Sequence, residues 1–258
     1  MSTIAITGAA SGIGLATRKL LEASGHRVIG VDLRDVEVVA DLATPAGRAT
    51  MVDGVSLACD GVLDGLVAAA GLFSSYPAEL VVSVNYFGAV ATLNDLRPLL
   101  AKGESPSAVA ISSNSTIVTP PLPDVTSCCL ADDEDGARVA AEKGGSDLTY
   151  PASKLALARW VRRNAVEPDW IGEGIRLNAV APGLISTPMT AEAEARILAV
   201  GDRFPVPMAR AGTADEVAGL LAYLLSPEAS FFCGSVVFMD GGTEAALRGE
   251  DWPAPLSA

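Results

Sequence analysis

The chain has 258 residues, half of them hydrophobic, with 18 basic against 31 acidic side chains and a net charge of -13. That length supplies a sizeable core, and that acidity argues against binding nucleic acid or an anionic membrane through bulk charge. One histidine, His26, leaves no His-rich metal site, so no metal centre is expected, and if the chain is an enzyme a residue other than histidine is expected to move protons.

Short β-branched runs alternate with helical patterns along the chain. Thr3–Thr7 reads as a strand that stops at Gly8, and Gly12–Ser24 as a helix closed by Gly25. Arg27–Val31, ended by Asp32, is the next strand, and Val36–Ala40 a third. A helical stretch around Ala46–Leu57 precedes a strand at Leu63–Ala69. Ala78–Ala101 is long and helical, Ser107–Ser112 a strand, and Ala131–Lys143 a short helix. Helices over Ser153–Val166 and Ala214–Leu225 separate strands at Gly174–Val180 and Gly234–Met239. This alternation predicts one α/β domain, a doubly wound parallel sheet with helices on both faces. The four cysteines, Cys59, Cys128, Cys129 and Cys233, are expected to be free thiols. Met1 leads straight into a strand pattern, and no apolar run approaches the ~18 residues of a membrane span. A cytoplasmic protein without a signal peptide is therefore expected.

The first strand runs into Gly8-Ala9-Ala10-Ser11-Gly12-Ile13-Gly14, three glycines at a strand-to-helix junction. Glycine lets backbone amides approach a pyrophosphate, and the helix N-terminus aims unpaired N–H groups at that anion. Asp32 lies 18 positions past Gly14, at the end of the second strand. A carboxylate there accepts hydrogen bonds from a ribose and repels a 2′-phosphate, so NAD is the expected cofactor. Arg34, close by, reads as a solvated arginine.

Tyr150-Pro151-Ala152-Ser153-Lys154 places Tyr and Lys four apart, on one face if helical. A phenol with an ordinary pKa of about 10 is a weak base near neutrality, and a cation beside it lowers that value. This pair is how a chain with one histidine could perform acid–base chemistry.

The Gly-x-x-x-Gly-x-Gly spacing, the Tyr-x-x-x-Lys motif and a strand ending in Ser112-Ser113 resemble the short-chain dehydrogenase/reductase family over essentially the whole chain. The resemblance implies a single Rossmann-type domain spanning residues 1–258. It implies that Ser113 contacts the substrate oxygen, with Ser112 as the alternative register. It implies that Asn85 helps hold a water linking Lys154 to solvent. It also assigns cofactor contacts to Gly8, Ser11, Gly12, Ile13, Gly14, Asp32, Leu33, Asp41, Leu42, Ala70, Gly71, Tyr150 and Lys154. Pro182, Gly183, Ile185 and Thr187 would form the loop around the nicotinamide. Ala69 stands where the family usually has asparagine.

Tyr150 lies 37 positions past Ser113, a far longer spacing than most family members have. This insertion, 114–149, makes the chain resemble the bacterial 3α-hydroxysteroid dehydrogenase/carbonyl reductase branch, which implies NAD(H)-dependent alcohol–ketone interconversion in a homodimer or homotetramer. Phe73, Leu184 and Met189 suit a hydrophobic alcohol or ketone, and residues 188–204 read as a substrate lid. Alternatives are a non-steroid cyclic alcohol or small ketone as substrate, or a non-catalytic NAD-sensing protein.

Overall fold

A computed structural model describes residues 1–120, 122–191, 194–199, 201 and 204–251. The chain opens with β1 (Thr3–Thr7), α1 (Gly12–Ala23), β2 (Arg27–Asp32), β3 (Val38–Val39), α2 (Pro45–Ala58) and β4 (Gly65–Ala68). α3 (Ala78–Val82), a π-helical turn (Ser83–Gly88) and α4 (Ala89–Leu100) run on from one another into β5 (Ser107–Ile111). Next come α5 (Ser115–Val118), α6 (Pro123–Leu130), α7 (Glu134–Gly144) and α8 (Ser146–Asn164). β6 (Arg176–Pro182), β7 (Ile185–Ser186), α9 (Glu194–Leu198), β8 (Gly212–Thr213), α10 (Ala214–Leu225), β9 (Val236–Met239) and α11 (Thr243–Arg248) follow.

Seven strands form one parallel sheet in the order β3-β2-β1-β4-β5-β6-β9, and β7 pairs with β8 apart from it. Successive strand residues point to opposite faces, which sorts the core into two halves. Ile4, Ile6 and Val67 pack with Leu21 of α1 and with Val217 and Leu221 of α10. Ala5, Leu66 and Ala108 face the other way, toward Met51, Leu93 and Leu157. The chain leaves β1 in one direction for β2 and returns to its other side for β4. That reversal opens a crevice at the carboxyl ends of β1 and β4, the usual ligand position in such sheets.

Several expected boundaries moved. β3 covers two residues rather than Val36–Ala40. α8 starts at Ser146, not Ser153, and carries Pro151 within it. The proline sits just past the first turn, so its missing N–H removes a single helical bond. Residues 114–149, read above as an insertion, hold α5, α6, α7 and the first turn of α8 rather than one helix. Val125, Cys129, Ala137 and Ala141 are fully buried in the core shared with α4 and α8, so the stretch is no solvated excursion. Part of the stretch 188–204, and the C-terminal residues 252–258, lie outside the described residues; α9 is the helix described there.

Arg176, at the start of β6, is buried and donates to the carbonyls of Leu224, Leu225, Ser226 and Ala229. It thereby satisfies acceptors that α10 leaves unpaired at its end. His26 immediately precedes β2, at the amino ends of the strands and so away from the crevice, half-buried, where its Nδ1 accepts from the Ser2 amide at 3.3 Å. All four cysteines are free thiols. Among the described residues, no helix is long and apolar enough to cross a membrane.

Candidate active site

The glycine turn caps the crevice. Gly8 has φ +72, and a Cβ there would stand 2.9 Å from the Ala70 backbone at the end of β4. At Gly14 a Cβ would meet the Gly8 carbonyl at 2.1 Å, so α1 can start this close to β1 only without a side chain. Ser11 occupies the N-cap of α1 with no side-chain capping bond, leaving its hydroxyl available at the helix N-terminus. Space beside Gly12 is bounded by Thr187, whose side chain lies 3.7 Å from where a Cβ would project. Ile13 is half-buried behind the turn. Exposed amides, a helix N-terminus and room for an anion fit the pyrophosphate of a dinucleotide.

Asp32 ends β2, its Oδ2 accepting from the Ala10 amide at 3.0 Å and its Oδ1 from Leu33 at 2.7 Å. The carboxylate is thus fixed beside the glycine turn. Arg34 is exposed and pairs with Asp35 at 3.8 Å. Asp41 is exposed, whereas Leu42 is buried against Gly88 and its carbonyl accepts from Arg48. Of that pair, Asp41 presents its side chain, and Leu42 belongs to the core.

Sequence reading missed Thr7. Its hydroxyl accepts from both the Ala69 and Ala70 amides at 3.2 Å, closing the end of β4 onto β1. This bond pair holds the segment in which asparagine is replaced by Ala69. A polar residue ending an otherwise apolar strand was the available signal.

Tyr150 and Lys154 face the crevice from α8. Lys154 is 4% exposed, and its Nζ donates to the Ile111 carbonyl at 2.8 Å. Burial pulls its pKa down to about 8. Burial pushes the Tyr150 phenol above its ordinary value, and a hydrogen bond with Ser113 works against that rise. The expected lowering by Lys154 does not figure among the causes of the Tyr150 shift, whose direction is set by burial of the phenol. The edge of Phe73 meets Tyr150 with ring centroids 5.2 Å apart.

The two serines have different duties. Ser112 Oγ donates to the Lys154 carbonyl at 3.0 Å, pinning α8 to β5. Ser113 Oγ accepts from the Ser115 amide at 3.1 Å and reaches Tyr150, so it is the hydroxyl at the site. Asn85 is fully buried in the π turn; Oδ1 accepts from the Leu72 amide at 2.7 Å and Nδ2 donates to the Leu72 carbonyl at 2.9 Å. Its amide is thus satisfied, and it clamps the segment after Gly71 rather than offering a free ligand. A Cβ on Gly71 would lie 3.2 Å from Asn85 Oδ1 and 3.4 Å from Lys154 Nζ, so both side chains border that glycine.

The loop after β6 closes the far side. The Pro182 carbonyl accepts from Asn114 at 2.9 Å, and Gly183 N–H donates to Met239 at 3.0 Å. Thr190 Oγ1 bonds the Ile185 carbonyl and lies 3.2 Å from Thr187 Oγ1. Leu184 is buried, while Met189 is 46% exposed.

A family model described as short chain dehydrogenase matches residues 2–122, and one described as enoyl-(acyl carrier protein) reductase matches residues 133–244. A 3-alpha-hydroxysteroid dehydrogenase/carbonyl reductase of Comamonas testosteroni is 40% identical, over 96% of this chain and 98% of that protein. The chain belongs to the short-chain dehydrogenase/reductase family. A crystal structure of the 3-alpha-hydroxysteroid dehydrogenase of Pseudomonas sp. B-0831, complexed with NADH, superposes with a TM-score of 0.90. That match is 45% identical and covers 96% of this chain and 99% of that one. Galactitol 2-dehydrogenase (L-tagatose-forming) of Cereibacter sphaeroides is 28% identical over 92% of this chain and 93% of its own length. The two family models leave out residues 123–132, which span α6 and the turn into α7.

Proposed function

We propose that this protein interconverts a secondary alcohol and a ketone with NAD(H), and that its substrate is a hydroxysteroid or a similarly apolar carbonyl compound. The observation that carries this reading is the meeting of β5 and α8 at the mouth of the glycine turn, where the buried Lys154 donates through Nζ to the Ile111 carbonyl at 2.8 Å, just before the serine pair, and borders Gly71. Bound nicotinamide would supply or accept the hydride. Tyr150 holds the proton that the substrate oxygen gains on reduction and loses on oxidation. Ser113 accepts from the Ser115 amide with one of its two lone pairs, which fixes the hydroxyl so that its proton can turn toward that oxygen and orient it. Lys154, next to Gly71, holds the nicotinamide ribose, and Asn85 keeps the neighbouring segment in register. Phe73 and Met189 supply apolar wall, and a lid formed by the region around α9 would exclude water. The 3-alpha-hydroxysteroid dehydrogenase names of two similar proteins, one with NADH, support this substrate and cofactor.

The test is a panel of 3-hydroxysteroids, cyclic alcohols and diketones, followed by the absorbance of reduced cofactor. Turnover of the steroids well above that of the cyclic alcohols is expected. Turnover confined to small cyclic alcohols would instead favour the non-steroid reading, and cofactor binding with no turnover across the panel a sensor.

Asp32 carries a separate expectation. Its carboxylate faces the position of the adenosine ribose and repels a 2′-phosphate. Wild-type protein should prefer NAD, and Asp32→Ala should relax the NAD-over-NADP ratio of kcat/KM by about tenfold or more. A wild-type preference for NADP would overturn the role given to Asp32.

A further inference from the structure

Arg48 is a crossroads that the chemistry above does not use. It lies in the first turn of α2, a few residues past Asp41. Its Nε donates to the Leu42 carbonyl at 2.9 Å, and its Nη2 lies 3.4 Å from the Ala43 carbonyl and 3.5 Å from that of Ser83. Ser83 opens the π turn that carries Asn85. The same guanidinium grips both oxygens of Glu134, each at 2.7 Å, across 86 residues of chain.

Glu134 begins α7, inside the insertion. One planar cation thus joins the adenine-side segment, the π turn and the insertion. A lysine ammonium could not make this set, because it lacks the fixed fork of donors. The side chains of Arg48 and Glu134 are 11% and 22% exposed, so the pair is less screened than a surface ion pair. Burial raises the Glu134 pKa, but the bonds and charge of Arg48 bring it below the ordinary carboxylate value. Glu134 is therefore ionised at neutral pH and holds Arg48 away from solvent.

We propose that Glu134, acting through Arg48, is a positioning residue for the cofactor: the insertion braces the Asp41–Ala43 segment and so sets the affinity for NAD(H). The inference rests on the reading of Asp41 as an adenine-side contact. The Ala43 amide donates to Asp41 Oδ1 at 3.0 Å, and the carbonyls of Leu42 and Ala43, which belong to no helix or strand, face Arg48, whose bonds add to that local turn. Loss of the Glu134 charge frees the guanidinium, and the segment then pays its ordering entropy only on binding cofactor.

Glu134→Gln keeps the shape and removes the charge. In the cofactor-free protein, hydrogen exchange is expected to quicken in 41–44 and 83–88 as well as in 131–145. The Kd for NADH, read by fluorescence, is expected to rise about tenfold, with kcat at saturating NADH within about twofold of wild type. Arg48→Lys, which keeps the cation and loses the fork, should act in the same direction and serves if Glu134→Gln does not fold. Exchange changes confined to 131–145, with an NADH Kd within about twofold of wild type, would overturn the proposal. Asp41→Ala separates the two ideas. If it weakens NADH binding and Glu134→Gln does not, the brace alone fails. If neither does, the adenine-side assignment fails, and the proposal with it.

Discussion

Tyr150→Phe is expected to lower turnover about a thousand-fold, the range that a positioned general acid or base contributes. NADH binding and the thermal midpoint should stay close to wild type. Phenylalanine preserves the edge contact with Phe73 and loses only the hydroxyl that bonds Ser113. Because burial raises the phenol's pKa in the free enzyme, Tyr150 is protonated at neutral pH and stands ready as an acid for carbonyl reduction. Alcohol oxidation, which needs the phenolate, should climb as pH rises toward the phenol's pKa, while reduction falls over the same range. The residual rate of Tyr150→Phe should lose both dependences. Turnover within about tenfold of wild type would remove Tyr150 from the proton-transfer role.

Lys154→Met should abolish most activity and yet stabilise the cofactor-free protein at neutral pH. Lys154 is buried, with the Ile111 carbonyl as its hydrogen-bond acceptor, and burial alone accounts for the fall of its pKa from 10.5 to about 8. Between those two pH values the unfolded chain holds a proton that the folded chain has lost. Wild-type stability contributed by this group therefore rises with pH through that window, and the penalty is complete below it. At about 1.4 kcal/mol per pKa unit, the penalty at pH 7 is on the order of 3 kcal/mol. Methionine removes it, but leaves the Ile111 carbonyl unpaired at a cost of about 1–2 kcal/mol. A net gain of about 1–2 kcal/mol raises the midpoint by roughly 3–6 °C for a chain of this size. That gain should shrink as pH approaches 10. A variant that is less stable at pH 7, with a difference insensitive to pH, would contradict the desolvation argument.

Much of the scaffold could be read from local pattern. Thr3–Thr7 and Ala214–Leu225 coincide with β1 and α10, because a short strand with an apolar centre and a capped amphipathic helix are set by near neighbours. Thr213 and Glu216 even form the reciprocal capping box that such a helix start requires. Where tertiary contacts decide, the pattern fell short. Ala78–Ala101 reads as one regular helix, yet it contains a π turn at Ser83–Gly88, over which Asn85 is tied to Leu72. The helix period carries no trace of a side chain that bonds a backbone segment 13 residues away. The insertion was the least legible stretch. Its helices are short and owe their order to packing on α8 and α4, not to propensity.

The candidate site divides in the same way. Which residues border the crevice was legible, because the glycine turn, Asp32 and the Tyr-Lys pair follow from short spacings along the chain. Which atoms meet was not. Ser112 and Ser113 are adjacent on one strand end, and only the approach of α8 assigns the first to the Lys154 carbonyl and the second to Tyr150. Spacing likewise implied a lysine that lowers the tyrosine, whereas burial moves both groups toward their neutral forms. Sequence by itself determined the sheet, the dinucleotide turn and the chemistry-bearing side chains, since those depend on contacts a few residues apart. Tertiary structure alone decided the hydrogen-bond partners, the protonation of Tyr150 and Lys154, and the Arg48–Glu134 link. Desolvation and long-range pairing exist only once distant segments enclose the same space.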